Sequence, residues 1–257
     1  GNTRTMGIAI LNGVRIFYKE LGEGQPIVFV HHLAGSFKSW KEINIRPDIK
    51  AVTYDLRGHG RSSVPIGEYL IQDHSEDLHE LLEFLGIEEP VIVGHSIGTL
   101  IALDYALKYP VKRLLLIGAL VKAPKPEPYE RYIEIATSRG MRALAEYRKA
   151  NGEFSDLLVN DPRAWQDLVE VYEETPPLGY KYTALGLIKA RDYTNDLSKI
   201  DVPVKLIYGE KDGLITNLEA FKSGLKRVEV RVIPQAGHFL NFEVPEVLSE
   251  EINSFIQ

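Results

Sequence analysis

A serine set between two glycines, at the point where an apolar run gives way to a helical pattern, leaves this chain few backbones to adopt. Val91–Val93 is wholly apolar, Gly94-His95-Ser96-Ile97-Gly98 follows at once, and Ile97–Tyr109 keeps helical periodicity until Pro110 closes it. Turning from a buried strand into a helix within five residues brings neighbouring backbone closer than a Cβ allows, so glycines are needed on both sides of the turn. Ser96 then stands at a helix N-terminus, where free N–H groups and the helix dipole favour developing negative charge. Strand, sharp turn and helix in this order are the setting of a nucleophile elbow, which predicts Ser96 as a nucleophile carried on a mainly parallel sheet.

The rest of the chain agrees with such a sheet. Ile8–Leu11, Arg15–Leu21, Ile27–His31, Ala51–Tyr54, Leu114–Ile117, Val204–Tyr208 and Val228–Ile233 read as further strands, the later ones mostly apolar. Apolar strands separated by helices imply an α/β fold, a mostly parallel sheet with helices on both faces. Asp73–Leu85 carries Leu78, Leu81, Leu82 and Leu85 at helical spacing, with Gly86 as its stop, and Val244–Ile256 is a final amphipathic helix. The prolines in Ala123-Pro124-Lys125-Pro126-Glu127-Pro128 break the alternation. Beyond them Tyr132–Ser138, Met141–Ala150, Arg163–Glu174 and Tyr180–Ala190 read as helices with no strand between, an inserted helical cap. The expected division is a core of residues 6–122 and 196–257 around a cap of residues 123–195. Residues 1–5 precede Met6 and are set aside.

Bulk properties narrow the partners. At 257 residues, 44% hydrophobic and without an apolar run of about 18 residues, the chain reads as a globular protein that does not span a membrane. A net charge of -6 offers no basic footprint for nucleic acid, so a small-molecule substrate is expected. The absence of cysteine excludes disulfides, a thiolate nucleophile and thiolate metal ligands. With no signal-peptide pattern, a cytoplasmic location is expected.

A serine hydroxyl is a weak nucleophile and needs a base with an acid behind it. Asp212 follows the strand Val204–Tyr208, and His238 follows Val228–Ile233; both lie at the carboxyl ends of strands, where open α/β sheets bind ligands. Glu210, two residues before Asp212, is the substitute acid. Among the other histidines, His95 reads as structural, His59 as stabilising its loop together with Asp55 and Arg57, and His74 and His79 as the polar face of their helix. Adjacent His31 and His32 lack a third ligand of convincing spacing, so no metal is expected. Glu170, Glu173 and Glu174 read as a solvated face.

These features together resemble the α/β-hydrolase superfamily from Ile8 onward, including Tyr54-Asp55-Leu56-Arg57-Gly58-His59-Gly60-Arg61-Ser62-Ser63 after the fourth strand. Within it the chain is most similar to the 3-oxoadipate enol-lactonase and small carboxylesterase branch, on Arg139-Gly140-Met141 with Ala143-Leu144-Ala145. The resemblance implies hydrolysis of a small-to-medium apolar ester or enol-lactone through an acyl-enzyme, without metal or organic cofactor. It implies an oxyanion hole made by the N–H groups of Ile97 and, from the alignment of His31-His32-Leu33-Ala34-Gly35, of Leu33. Glycine is usual at the position of His32; histidine there is expected to take positive φ and to project its imidazole into the acyl pocket. Tyr132 and Trp165 are the other substrate-binding candidates, among cap side chains that include Tyr147, Phe154, Tyr172, Tyr180 and Tyr182. A C–C bond hydrolase, a cofactor-free haloperoxidase-like perhydrolase and a capped ligand receptor with little turnover remain open alternatives.

Overall fold

Eight strands form one sheet in the computed structural model, which describes residues 4–256: β1 (Arg4–Leu11), β2 (Val14–Leu21), β3 (Gln25–Val30), β4 (Ile49–Tyr54), β5 (Val91–His95), β6 (Arg113–Ile117), β7 (Val204–Gly209) and β8 (Val228–Ile233). Their spatial order is β1-β2-β4-β3-β5-β6-β7-β8. β1 pairs antiparallel with β2, and β2 with β4; every other neighbour is parallel. Arg4 and Thr5, set aside on sequence, belong to β1 opposite Leu21 and Glu20.

The strand period of two sends alternate residues to opposite faces, and both faces are covered. Val28, Val30, Ile92, Leu114 and Leu116 pack on one side against α1 (Ile71–Leu85) and α2 (Ile97–Lys108). Ile27, Phe29, Val91, Val93, Leu115 and Ile117 pack on the other, against Trp40 and Leu248, Ile252 and Phe255 of the last helix. Continuous apolar strands are the consequence of this two-sided burial. Gly86 ends α1 in the left-handed region at φ 71, as its position predicts.

Between β6 and β7 the described residues contain helices and no strand: α3 (Glu127–Arg139), α4 (Met141–Ala150), α5 (Asp156–Val159), α6 (Pro162–Glu173) and α7 (Pro177–Leu187). The first begins inside the proline run, because Pro128 occupies the first turn, where the missing N–H has no helical partner to lose. This segment has its own core, around Leu144, Leu158, Leu168 and Tyr172, joined to the sheet's edge by Ala34, Phe239 and Phe242. After β7 come α8 (Leu218–Gly224), α9 (Leu240–Glu243) and α10 (Pro245–Phe255); α10 is the expected terminal helix, and the short, unexpected α9 precedes it. No helix of the described residues is long and apolar enough to cross a membrane.

His74 departs from its expected place on a polar face: it is buried against Tyr69, and neither ring nitrogen has a hydrogen-bond partner. α1 lies under the loop that follows β4, where Arg57 donates twice to Asp77 at 2.6 and 2.7 Å, and this contact covers the helix side that holds His74. His79 stays on the outer face, stacked on Tyr109 at 3.8 Å.

Candidate active site

The turn after β5 places Ser96 at φ 58 and ψ −116, a region that non-glycine residues enter only when the surroundings impose it, at roughly 1–3 kcal/mol. The flanking glycines are sterically required. A Cβ on Gly94 would lie 2.5 Å from the Gly98 carbonyl oxygen, and one on Gly98 would lie 2.2 Å from that of Val30. The strained turn is held by backbone: the Ser96 N–H donates to Ile117 at 2.9 Å, and its carbonyl accepts from the Thr99 hydroxyl at 2.6 Å. The Ser96 side chain is left to face a cavity.

Two other strand ends deliver groups to the same cavity. His238 Nδ1 lies 2.7 Å from Asp212 Oδ2, and Asp212 Oδ1 accepts the Leu214 N–H at 2.9 Å. Nδ1 is thereby committed as the donor, leaving Nε2 as the nitrogen able to accept a proton. Burial alone would raise the Asp212 carboxyl; the His238 imidazole and the Leu214 N–H hold it below the usual carboxylate range. Glu210 is elsewhere, accepting the Gln235 N–H at 2.9 Å.

Gly118, which sequence reasoning missed, closes this arrangement from below. It directly follows β6 at φ 55, and a Cβ there would sit 2.8 Å from His238 Nδ1 and 3.0 Å from Asp212 Oδ2. A glycine directly after an apolar strand, as at Gly94, was the available signal. Gly118→Ala should lower kcat about 10- to 100-fold by pushing the imidazole aside, and cost about 1–2 kcal/mol for left-handed backbone. Steady-state kinetics and thermal melts check both; an unchanged kcat in the folded variant would show that the pair tolerates the intrusion.

The turn after β3 is braced by neutral histidines. His31 donates from Nδ1 to the His32 carbonyl at 2.7 Å and accepts the Leu56 N–H at Nε2 at 3.0 Å. His59 accepts the Ala34 N–H at 3.0 Å and donates to the Arg57 carbonyl at 3.1 Å. With these nitrogens spent, neither His31 nor His59 has one to offer an ion. The Leu33 N–H meets no acceptor among the described residues, and the Ile97 N–H is the first of α2, without a helical partner. Leu33 lines the cavity, and Ile97 directly follows Ser96.

His32 overturns its expectation. The left-handed residue of this turn is Ala34, at φ 63, and not His32. His32 does line the cavity, but its ring nitrogens are turned to the protein: Nδ1 donates to the Leu33 carbonyl at 2.9 Å and Nε2 accepts from the Ser39 hydroxyl at 3.0 Å. Its ring packs edge-on against His95, Phe239 and Phe242 at centroid distances of 5.1, 5.2 and 5.7 Å. A buried imidazole seeks partners for both nitrogens, and here the Leu33 carbonyl and the Ser39 hydroxyl supply them.

The cavity holds about 830 Å³ between the sheet edge and the helical segment. Tyr132, Phe154, Tyr172 and Tyr180 line it; Trp165 does not, packing instead against Phe154 at 5.8 Å with Lys149 over its ring. Beside these rings the cavity also has a polar end. Arg148 enters it from α4, donating to Glu153 at 3.0 Å and to the Tyr172 hydroxyl at 2.8 Å, while the Tyr132 hydroxyl shares Glu153. Two of five guanidinium N–H groups are so used; the other three meet no acceptor among the described residues. Burial opposes the charge, and the tyrosine hydroxyls and Glu153 outweigh it, so the pKa is raised. The sequence carried a signal: Arg148 continues the stripe of Met141, Leu144 and Ala145, where a charge is out of place. Glu170 and Glu174 are also more than a solvated face, pairing with Lys41 at 3.4 Å and Lys38 at 2.8 Å across to the core; Glu173 pairs with Arg142 at 2.9 Å.

Comparison with known proteins places the chain by family and fold. The profile of a family described as alpha/beta hydrolase fold matches residues 25–245. A 3-oxoadipate enol-lactonase 1 of Acinetobacter baylyi is 29% identical over 90% of this chain and 88% of its own. A putative non-heme chloroperoxidase of Synechocystis sp. is 25% identical over 95% of each chain. Among solved structures, a thermophilic esterase from Thermogutta terrifontis superposes with a TM-score of 0.88 at 24% identity over 98% of both chains, a likeness of fold.

Proposed function

The chain belongs to the α/β-hydrolase family, and from that premise we propose that it is a serine hydrolase cleaving a small-to-medium carboxylic ester or (enol-)lactone through an acyl-enzyme. One observation carries the proposal: the His238–Asp212 pair, with Nε2 free, opens on the same cavity as a serine held in a strained turn. Ser96 Oγ attacks the acyl carbon while His238 Nε2 takes its proton. The Leu33 and Ile97 N–H groups receive the oxyanion, and the protonated imidazole returns the proton to the leaving alkoxide. Water, deprotonated by the same nitrogen, then attacks the acyl carbon, and the imidazolium returns that proton to Ser96 Oγ as the acid departs. Hydrogen peroxide in place of that water would release a peracid, which accommodates the likeness to a chloroperoxidase.

Residues 123–195 act as the cap, and their polar end selects the substrate. Three unpaired N–H groups of Arg148 suit an acyl or alcohol part ending in a hydrogen-bond acceptor. Hydrolysis of p-nitrophenyl esters of increasing acyl length, run beside an enol-lactone and a vinylogous diketone, tests the reaction class; turnover of none of them would return the chain to a ligand receptor. Arg148→Leu tests the polar end. A charge-assisted hydrogen bond is worth about 1.5–3 kcal/mol, so kcat/KM should fall at least about tenfold for acyl chains ending in an acceptor. For plain alkyl chains of equal length it should stay within about threefold, and an equal loss on both would assign Arg148 to packing alone.

A further inference from the structure

The loop that carries His238 is gripped by a carboxylate that the mechanism above leaves unused. Glu243, at the end of α9, is buried at 8% exposure. One carboxylate oxygen accepts the Gly237 N–H at 2.7 Å and also the Ser155 hydroxyl; the other accepts the Phe239 N–H at 2.8 Å. The two peptide donors belong to the residues on either side of His238, so the carboxylate brackets the histidine backbone. Opposite it, His95 Nε2 donates to the His238 carbonyl at 2.8 Å. The histidine peptide cannot turn without breaking hydrogen bonds that water has little access to replace.

The third contact of Glu243 reaches outside the loop. Ser155 precedes α5 and belongs to the segment assigned as the cap, so one carboxylate ties the cap to the histidine loop. The fit is close: a Cβ on Gly237 would lie 3.0 Å from Ser155 Cβ and 3.4 Å from both Glu243 oxygens. We infer that Glu243 is a positioning residue, which aims His238 Nε2 and makes that aim depend on the seating of the cap through Ser155. The inference rests on the serine-hydrolase reading, in which His238 is the base.

A residue that acts through His238 has nothing to act on once the imidazole is gone, whereas one that merely supports the fold does. Glu243→Gln keeps the shape but turns an N–H₂ toward one of the donors. On a p-nitrophenyl ester it should lower kcat about 10- to 100-fold with KM within about threefold, and Ser155→Ala should lower kcat about 3- to 10-fold. In the His238→Ala background neither change should reduce the residual rate more than about twofold. Wild-type kcat in folded Glu243→Gln, or the same fold-loss with and without His238, overturns the inference. If Glu243→Gln does not fold by near-ultraviolet dichroism, Ser155→Ala decides: a loss of kcat confined to the His238 background sustains the inference, and no loss overturns it. Failure of the underlying reading is separately visible, since Ser96→Ala would then retain turnover whatever the Glu243 variants do.

Discussion

Ser96→Ala and His238→Ala are each expected to lower kcat by about 10⁴-fold or more on any ester this protein accepts, because nucleophile, base and acid act as a unit. Asp212→Asn should be somewhat milder, leaving the imidazole in place but with the wrong nitrogen protonated. Each variant should still fold. The hydrogen bonds that hold Ser96 run through its backbone to Ile117 and Thr99, so its hydroxyl can be removed without disturbing the turn. Glu210→Gln should behave like wild type, since that carboxylate serves the Gln235 N–H and not the imidazole. Single-turnover kinetics with an activated ester, together with melting curves, provide the check. A crippled Glu210→Gln beside an active Asp212→Asn would move the acid by two residues.

The second large effect is on stability in acid. Five histidines, His31, His32, His59, His74 and His95, are buried and shifted below their ordinary value of 6.5, burial being the leading cause in each; His59 falls to about 4. The unfolded chain takes up protons on these rings below pH 6.5 and the folded chain does not, so stability is full above 6.5 and is lost as pH falls toward the folded values. For His59 alone the loss between 6.5 and about 4 amounts to about 3 kcal/mol. Asp55 has the opposite sign: burial raises it from 3.8 to about 6, so the fold gains about 3 kcal/mol as pH falls between those values. Asp55 and His59 nearly offset each other; buried Asp77, also raised, opposes the loss, while His31, His32, His74 and His95 add to it. With four histidines on the losing side, stability is expected to decline as pH falls below 6.5 and to end in cooperative unfolding in acid, followed by near-ultraviolet dichroism. His74→Phe, which removes a ring with no hydrogen-bond partner, should shift the midpoint to lower pH; no shift would mean that the other rings set it.

Much of the sheet was legible because burial on both faces writes itself into sequence as unbroken apolar runs, and Leu114–Ile117 or Val204–Tyr208 admit few other readings. The elbow was legible because the steric demand at Gly94 and Gly98 is local. What escaped was decided by contacts distant along the chain. Arg57 and Asp77 meet over α1 and enclose His74, so a wheel drawn for that helix alone puts the ring in solvent. His32 was read against the usual glycine and assigned its strain, but Ser39 and the rings of Phe239 and Phe242 offer it a place, and Ala34 takes the left-handed residue. Trp165 has the size of a pocket residue and spends it on Phe154 and Lys149. Glu243 looks like any acid near a helix start until Gly237, Phe239 and Ser155 converge on it.

Strands β6 and β7 are neighbours in the sheet, with Leu114 opposite Val204 and Ile117 opposite Ile207, although all five helices from α3 to α7 lie between them in sequence. The excursion therefore leaves and re-enters the sheet at adjacent rungs and contributes no rung of its own. Lengthening, shortening or exchanging it need not shift the register that aligns Ser96 with Asp212 and His238. Such a chain can change what it accepts while keeping how it reacts, provided a replacement segment again presents a hydroxyl to Glu243 where Ser155 now stands. Inheritance and engineering thus meet the same boundary condition: on the proposed reading the chemistry is a fixture, the selectivity is an exchangeable part, and Glu243 is the joint between them that touches the histidine loop.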